Sequence, residues 1–136
     1  MDLVKSMMVA ASGLKAQSGR MRIIAENIAN ADSTGKTAGA DPYRRKIPTF
    51  QDRLDRTIGA DTVQLGRPML DQSEFQLKYM PGHPAADANG YVKTPNVNGL
   101  VEAVDMREAQ RSYEANLNLI QASRRMISQT IEILKK

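Results

Sequence analysis

His83 is the chain's one histidine, and it lies between Gly82 and Pro84. An imidazole can act as a general base when a nucleophile or an orienting carboxylate stands beside it. No Ser or Cys is near it in sequence, so a hydrogen-bonded turn residue is the expected role. Gly35-Lys36-Thr37 has the tail of a phosphate-binding loop. The full motif needs a glycine where Asn30 stands, and a strand where a helical pattern runs. Asp87, Asn89 and Gly90 look like part of a calcium loop, but Ala85 and Asn96 occupy positions that the pattern gives to acids, so a turn is the better reading. With no cysteine there is neither a disulfide framework nor a thiolate metal site. We expect no catalytic residue, no metal ligand, no cofactor and no enzymatic activity.

Tyr43-Arg44-Arg45-Lys46 is the densest cationic cluster in a chain of net charge +4. Three successive cations beside an aromatic can grip phosphates. The alternative function is therefore a basic helical module that binds nucleic acid through residues 43–46. Asp41, Asp52 and Asp55 interleave with the surrounding cations, which favours a solvated or partner-facing loop and no nucleic acid.

The elements that must carry these residues are mainly helical. Aromatics are sparse, four Tyr and two Phe with no Trp, so Met, Ala, Leu and Ile must fill the core. That favours helix–helix packing. Leu3, Met7, Ala10, Leu14, Gln17, Met21, Ile24, Ile28 and Ala31 are spaced alternately by four and three, the heptad of a coiled-coil seam. A helix over 3–30 would be about 42 Å long. Gly13 and Gly19 oppose it, and imply either a break near Gly19 or close helix approach around Ala10, Ala11, Ser12, Gly13 and Ala16. Met106, Gln110, Tyr113, Leu117, Ile120, Arg124, Ile127, Ile131 and Leu134 repeat the heptad at the other end. A second stripe, Ala115, Leu119, Ala122, Met126 and Ile133, implies a helix covered on two sides. Since the chain supplies no third long helix, other copies or other chains are the expected cover, the alternative being that the middle segment folds over the exposed stripe. Leu3, Met7, Leu14, Met21, Ile24, Ile28, Tyr113, Leu117, Leu119, Ile120, Met126, Ile127, Ile131 and Leu134 are the candidate packing residues.

All six prolines lie between residues 42 and 95. The expected division is a helix over 1–31, a middle segment over 32–100, and a helix over 101–136 packing with the first. The fold class is mainly α: two long terminal helices in a coiled-coil-like bundle, with a small irregular and β middle. In the middle, Ile47, Phe50, Leu54 and Ile58 predict a short helix, with Thr49 and Asp52 as a capping box. Phe75, Leu77 and Tyr79 predict a strand, with Val63–Leu65 and Tyr91–Val92 as companions. Residues 66–73 read as the connection between strands. Asn27, Asn30, Asp32, Ser33 and Thr34 cluster where the first helix ends and read as a joint, bonding orphan helix carbonyls or a neighbouring backbone. No apolar run is long enough to span a membrane. The opening residues do not resemble a cleavable signal peptide.

Ser12-Gly13-Leu14 followed by Ile24-Ala25-Glu26-Asn27-Ile28-Ala29-Asn30-Ala31-Asp32-Ser33-Thr34 resembles the N-terminal signature of bacterial flagellar rod and hook axial proteins. Tyr43–Lys46, the run PGHPAADANGYVKTPNVN over 81–98, Val104-Asp105-Met106 and Arg111–Asn116 resemble the proximal rod proteins of that family. The resemblance spans about residues 3–134. It implies a non-enzymatic structural subunit of the periplasmic rod of the flagellar basal body, exported through the flagellar type III apparatus without a cleaved signal. The terminal helices would pack into a helical tube that transmits torque. Partners would be copies of the chain, other proximal and distal rod proteins, the rod-base adaptor and the export apparatus. The terminal helices are expected to be disordered before assembly. Loops 36–46 and 81–98 are the candidate partner loops, through Tyr43, Arg44, Arg45, Lys46, Pro81, Gly82, His83, Pro84, Gly90, Tyr91, Pro95, Asn96 and Asn98.

Overall fold

A computed structural model describes residues 2–135. Helix α1 (Leu3–Ala29) and helix α2 (Gly99–Leu134) frame six short strands: β1 (Lys46–Ile47), β2 (Phe50–Asp55), β3 (Ala60–Leu65), β4 (Met69–Leu70), β5 (Gln76–Tyr79) and β6 (Tyr91–Thr94). Both helices open on a side-chain cap. Asp2 Oδ1 accepts from the Val4 amide at 3.2 Å, and Asn98 Oδ1 from Leu100 at 3.0 Å. Each satisfies an amide that the first turn leaves without a helical partner.

Helix α1 runs unbroken through both glycines. Their cost as helix residues is accepted where something comes close. A Cβ on Gly13 would lie 2.9 Å from Asn116 Nδ2, and one on Gly19 would lie 2.7 Å from Leu65 Cδ2. The close approach expected at the small-residue cluster is present, and the alternative break at Gly19 is not.

The strands form three separate antiparallel pairs, β1 with β4, β2 with β3, and β5 with β6. The short helix predicted over 47–58 is not formed; its residues are β1, β2 and a turn. Phe50 and Leu54 share a face at spacing four in a strand as well as in a helix. Gly59, at φ +60°, closes a turn onto β3, and Phe50 and Asp52 pair with Leu65 and Val63. Thr49 Oγ1 bonds the Arg67 carbonyl at 2.8 Å and caps no helix. The expected connection over 66–73 holds β4. The β5–β6 pair forms as Leu77, Tyr79, Tyr91 and Val92 suggested, but Phe75 lies just outside it, and Val63 and Leu65, expected beside 75–79, pair with β2 instead.

The chain divides into two compact bodies. The first comprises Met1–Met21, Thr49–Arg67 and Arg107–Lys136, and the second Arg22–Pro48 and Pro68–Met106. In the first body the helices run antiparallel, with Gly13 against Asn116 and Arg20 bridged to Glu108 at 3.6 Å. Hairpin β2–β3 rests on α1, where Ser12 Oγ accepts from the Val63 amide at 3.3 Å. Its buried residues are small: Ala10, Ala16, Ala109 and Ser123. The second body buries larger side chains, Ile23, Ile24, Val92 and Val97, together with Asn27 and Glu102.

The helices therefore pair through small and polar positions, one residue before half of the apolar heptad read from sequence. Ile24 is buried. Leu3, Met7, Leu14, Met21, Tyr113, Ile120 and Ile127 are half-buried, while Ile28, Leu117, Ile131 and Leu134 are exposed. The second stripe of α2 is also open, with Leu119 47%, Met126 45% and Ile133 74% exposed. Small residues let backbones approach, and close approach turns larger neighbours outward.

Candidate functional site: a buried polar joint

The chemistry of the second body centres on Asn27, near the end of α1. Its side chain is completely buried, so all its polar valences need partners. Nδ2 donates to the Lys46 carbonyl at 2.8 Å and to Glu102 Oε2 at 3.1 Å. Oδ1 accepts from the Lys46 amide at 3.0 Å and the Tyr43 hydroxyl at 2.8 Å. One amide thus ties α1, the 43–46 segment and α2.

Glu102 is equally buried, and Arg45 answers its charge through Nε. The same guanidinium reaches Asp71 at 3.4 Å and Asp105 at 3.7 Å. Burial works against the charge on Arg45, but the bonds and field of Glu102, with Asp71 adding, outweigh it and raise its pKa. Asp71 is held below the usual carboxylate range by the Ser73 backbone and hydroxyl and by Arg45, against a desolvation that opposes them. Burial, then the charges of Glu26 and Glu102, push the Tyr43 phenol up to about 12.

Asn96 is a second node. Its Oδ1 accepts from the Arg45 amide at 2.8 Å, and its Nδ2 donates to the Asp71 carbonyl at 3.0 Å. Arg44 donates to the same Asp71 carbonyl at 2.8 Å, and its guanidinium lies 4.2 Å from the Phe75 ring centre. Lys46 pairs with Glu26. The basic cluster is therefore turned inward: its cations face carboxylates, carbonyls and a ring of the same body. A phosphate grip through 43–46 would have to displace these partners.

The other sequence-selected residues fall around this joint. Asn30 Nδ2 bonds the Glu26 carbonyl at 2.8 Å and Ser33 Oγ the Asn30 carbonyl at 2.8 Å, closing α1. Asp32 is exposed and Thr34 half-buried. His83 Nδ1 accepts from the Ala85 amide at 3.0 Å within its turn, flanked by exposed Pro81, Gly82 and Pro84. Asp87 Oδ1 accepts from Asn89 and Tyr91, each at 2.9 Å, and Gly90 turns at φ +82°. Tyr91 meets Tyr79 edge to face at 5.3 Å. Pro95 is buried, and Asn98 is the α2 cap rather than a free loop residue. Sequence reading missed Glu102 and Asp71. Glu102 had a signal: it begins the seven-residue line Glu102, Ala109, Asn116, Ser123, small or polar throughout and turned inward. Among the described residues no three His, Cys, Asp or Glu are grouped to hold a metal ion, and no helix is long and apolar enough to cross a membrane.

Known proteins share this arrangement of sequence. Residues 7–35 match the family described as "Flagella basal body rod protein", and residues 88–133 match "Flagellar basal body rod FlgEFG protein C-terminal". The chain is 54% identical to the flagellar basal-body rod protein FlgC of Agrobacterium fabrum, over 93% of this chain and 91% of that one. It is 40% identical to the FlgC proteins of Borreliella burgdorferi, over 99% of each chain, and of Salmonella typhimurium, over 98% of each.

Proposed function

We propose, from the premise that this chain belongs to the FlgC family of flagellar basal-body rod proteins, that its unpaired apolar helix faces are the surfaces through which rod subunits join. The chain is a structural subunit of the rod and associates with other rod subunits. The observation that carries the proposal is the open second stripe of α2, Leu119, Met126 and Ile133. Apolar surface in such a row is unfavourable in water and gains stability when a neighbouring helix covers it.

In this reading the helices 1–31 and 101–136 form the axial layer of a helical tube, and 32–100 forms its outer layer and lateral contacts. Heterologous contacts repeated with a rise generate such a tube. Dense packing across the contacts lets it carry torque without shear. Met7, Leu14, Met21, Ile28, Leu117, Ile131 and Leu134 supply further contacts between subunits. The loop over 81–98, through Pro81, His83, Pro84 and Tyr91, meets neighbouring rod proteins and the rod-base adaptor. Residues 43–46 act from within, holding the joint. The chain performs no catalysis. It is exported by the flagellar type III apparatus without a cleaved signal and works in the periplasm.

The test is a paired substitution, Leu119→Asp with Met126→Asp. Both positions are exposed in the free chain, so its thermal midpoint should barely move. Cells carrying the variant should lose swimming, and purified basal bodies should lack the rod. A swimming strain with an intact rod would refute the proposal.

A further inference from the structure

The chain has eight methionines and no cysteine, so every oxidisable sulfur in it is a thioether. Which of them an oxidant reaches first follows exposure. Among the described residues Met8, Met69 and Met126 are exposed, while Met7, Met21, Met80 and Met106 are half-buried. Two of the exposed three differ in setting. Met69, 61% exposed, lies in β4 opposite Ile47, in the second body. Met126, 45% exposed, lies in the first body and is the one sulfur of the open α2 stripe, between Ala122 and Ile133.

We infer that Met126 is an oxidation site whose state decides whether a subunit can join its neighbours. The inference rests on the reading of this stripe as an assembly surface and adds a regulation to it. The oxidant is a peroxide. The thioether lone pair attacks one peroxide oxygen and the O–O bond breaks. That oxygen stays on sulfur as the sulfoxide, and with hydrogen peroxide the other leaves as water. Sulfur loses two electrons and the peroxide gains them. The product is polar where the thioether was apolar and pliant. In the free chain the new S–O group faces water, so the fold barely responds. Under a neighbouring helix it would be stripped of water without a donor, which is costly. Oxidation before joining therefore excludes the subunit, and joining closes the sulfur to the oxidant.

The experiment uses cells that lack methionine sulfoxide reductases, which would otherwise reverse the change. Flagellar synthesis is induced under mild hydrogen peroxide. Basal bodies and the unassembled chain are then separated and mapped by peptide mass spectrometry. The sulfoxide of Met126 should be depleted in basal bodies by about tenfold relative to the unassembled chain, the ratio that burying an unpaired polar group implies. The sulfoxide of Met69 should be similar in both fractions. Without oxidant, Met126→Leu should build rods, and Met126→Gln, apolar no longer, should not, although its thermal midpoint is unchanged. Equal Met126 sulfoxide in the two fractions, or equal depletion at Met69 and Met126, would overturn the inference. Either result beside a rodless Met126→Gln strain leaves the assembly surface standing; intact rods in that strain would remove the surface reading and this inference with it.

Discussion

The two bodies are closed by different chemistry. The second buries Ile23, Ile24, Val92 and Val97 around an amide and an ion pair whose polar atoms are matched. Among the described residues the first buries only alanines and a serine, leaves a Gln acceptor unpaired, and turns Leu119, Met126 and Ile133 to solvent. Buried apolar area is what offsets the entropy of ordering a chain. The second body has gathered that area for itself; the first has left it for others. A subunit that must join neighbours on several sides needs one part that holds its shape alone and another whose stability is completed on assembly.

Five experiments would break or sharpen this contrast. The largest effect is expected from Glu102→Ala. It strands Arg45 and removes an acceptor of Asn27, and should cost about 3–5 kcal/mol. Amide hydrogen exchange should speed up in 22–48 and 68–106 first; uniform acceleration along the chain would erase the distinction between the bodies. Gly19→Val should overpack the contact with Leu65 and cost about 1–3 kcal/mol. Here exchange should quicken in β2 and β3 while the joint stays protected.

Tyr43→Phe removes the hydroxyl bonded to Asn27 and should cost about 1 kcal/mol. It also tests the charge balance of the joint. The folded pKa of Tyr43 is raised to about 12 from 10.0. Its stabilisation is thus present below pH 10 and is lost as pH rises towards 12. Ultraviolet titration of the native chain should show one phenol ionising late, and the Phe variant should lack it. For Asp71 the sign is reversed: its lowered pKa stabilises the fold above the ordinary carboxylate range and fades as pH falls below it. Asp71→Asn should flatten the acid limb of the stability curve. The smallest change in free-chain stability, within about 0.5 kcal/mol, is expected from Met126→Ser on the open stripe. Coupled with impaired swimming, it would separate the assembly surface from the fold.

Much of the fold could be read in advance because helices and strands advertise their periods. The four–three spacing located both helices, and strict alternation located β5. Residues 47–58 misled because Phe50 and Leu54 satisfy both periods, and the deciding partners, Val63 and Leu65, lie on another segment. The polar run at the end of α1 was visible, and of it Asn27, Asn30 and Ser33 bond nearby backbone, while no such bond forms at Asp32 or Thr34 among the described residues. The inward turn of Arg44, Arg45 and Lys46 was not visible. Their carboxylates and carbonyls come from Glu26, Asp71, Ser73, Glu102 and Asp105, and no local pattern links those positions.

The sequence by itself determined that two long helices flank a proline-rich middle, that more apolar stripe exists than one chain can cover, and to which family the chain belongs. These are properties of local spacing and composition. Only the tertiary structure decided which line of each helix faces its partner. Adjacent lines differ by one residue, and the choice was made by close approach at Gly13, Ala10 and Ala109 and by the matched pair Asn27 and Glu102. Hydrophobicity alone would have chosen the larger residues. Packing at short distance and the need to satisfy buried polar groups chose the smaller ones, and left the larger outside.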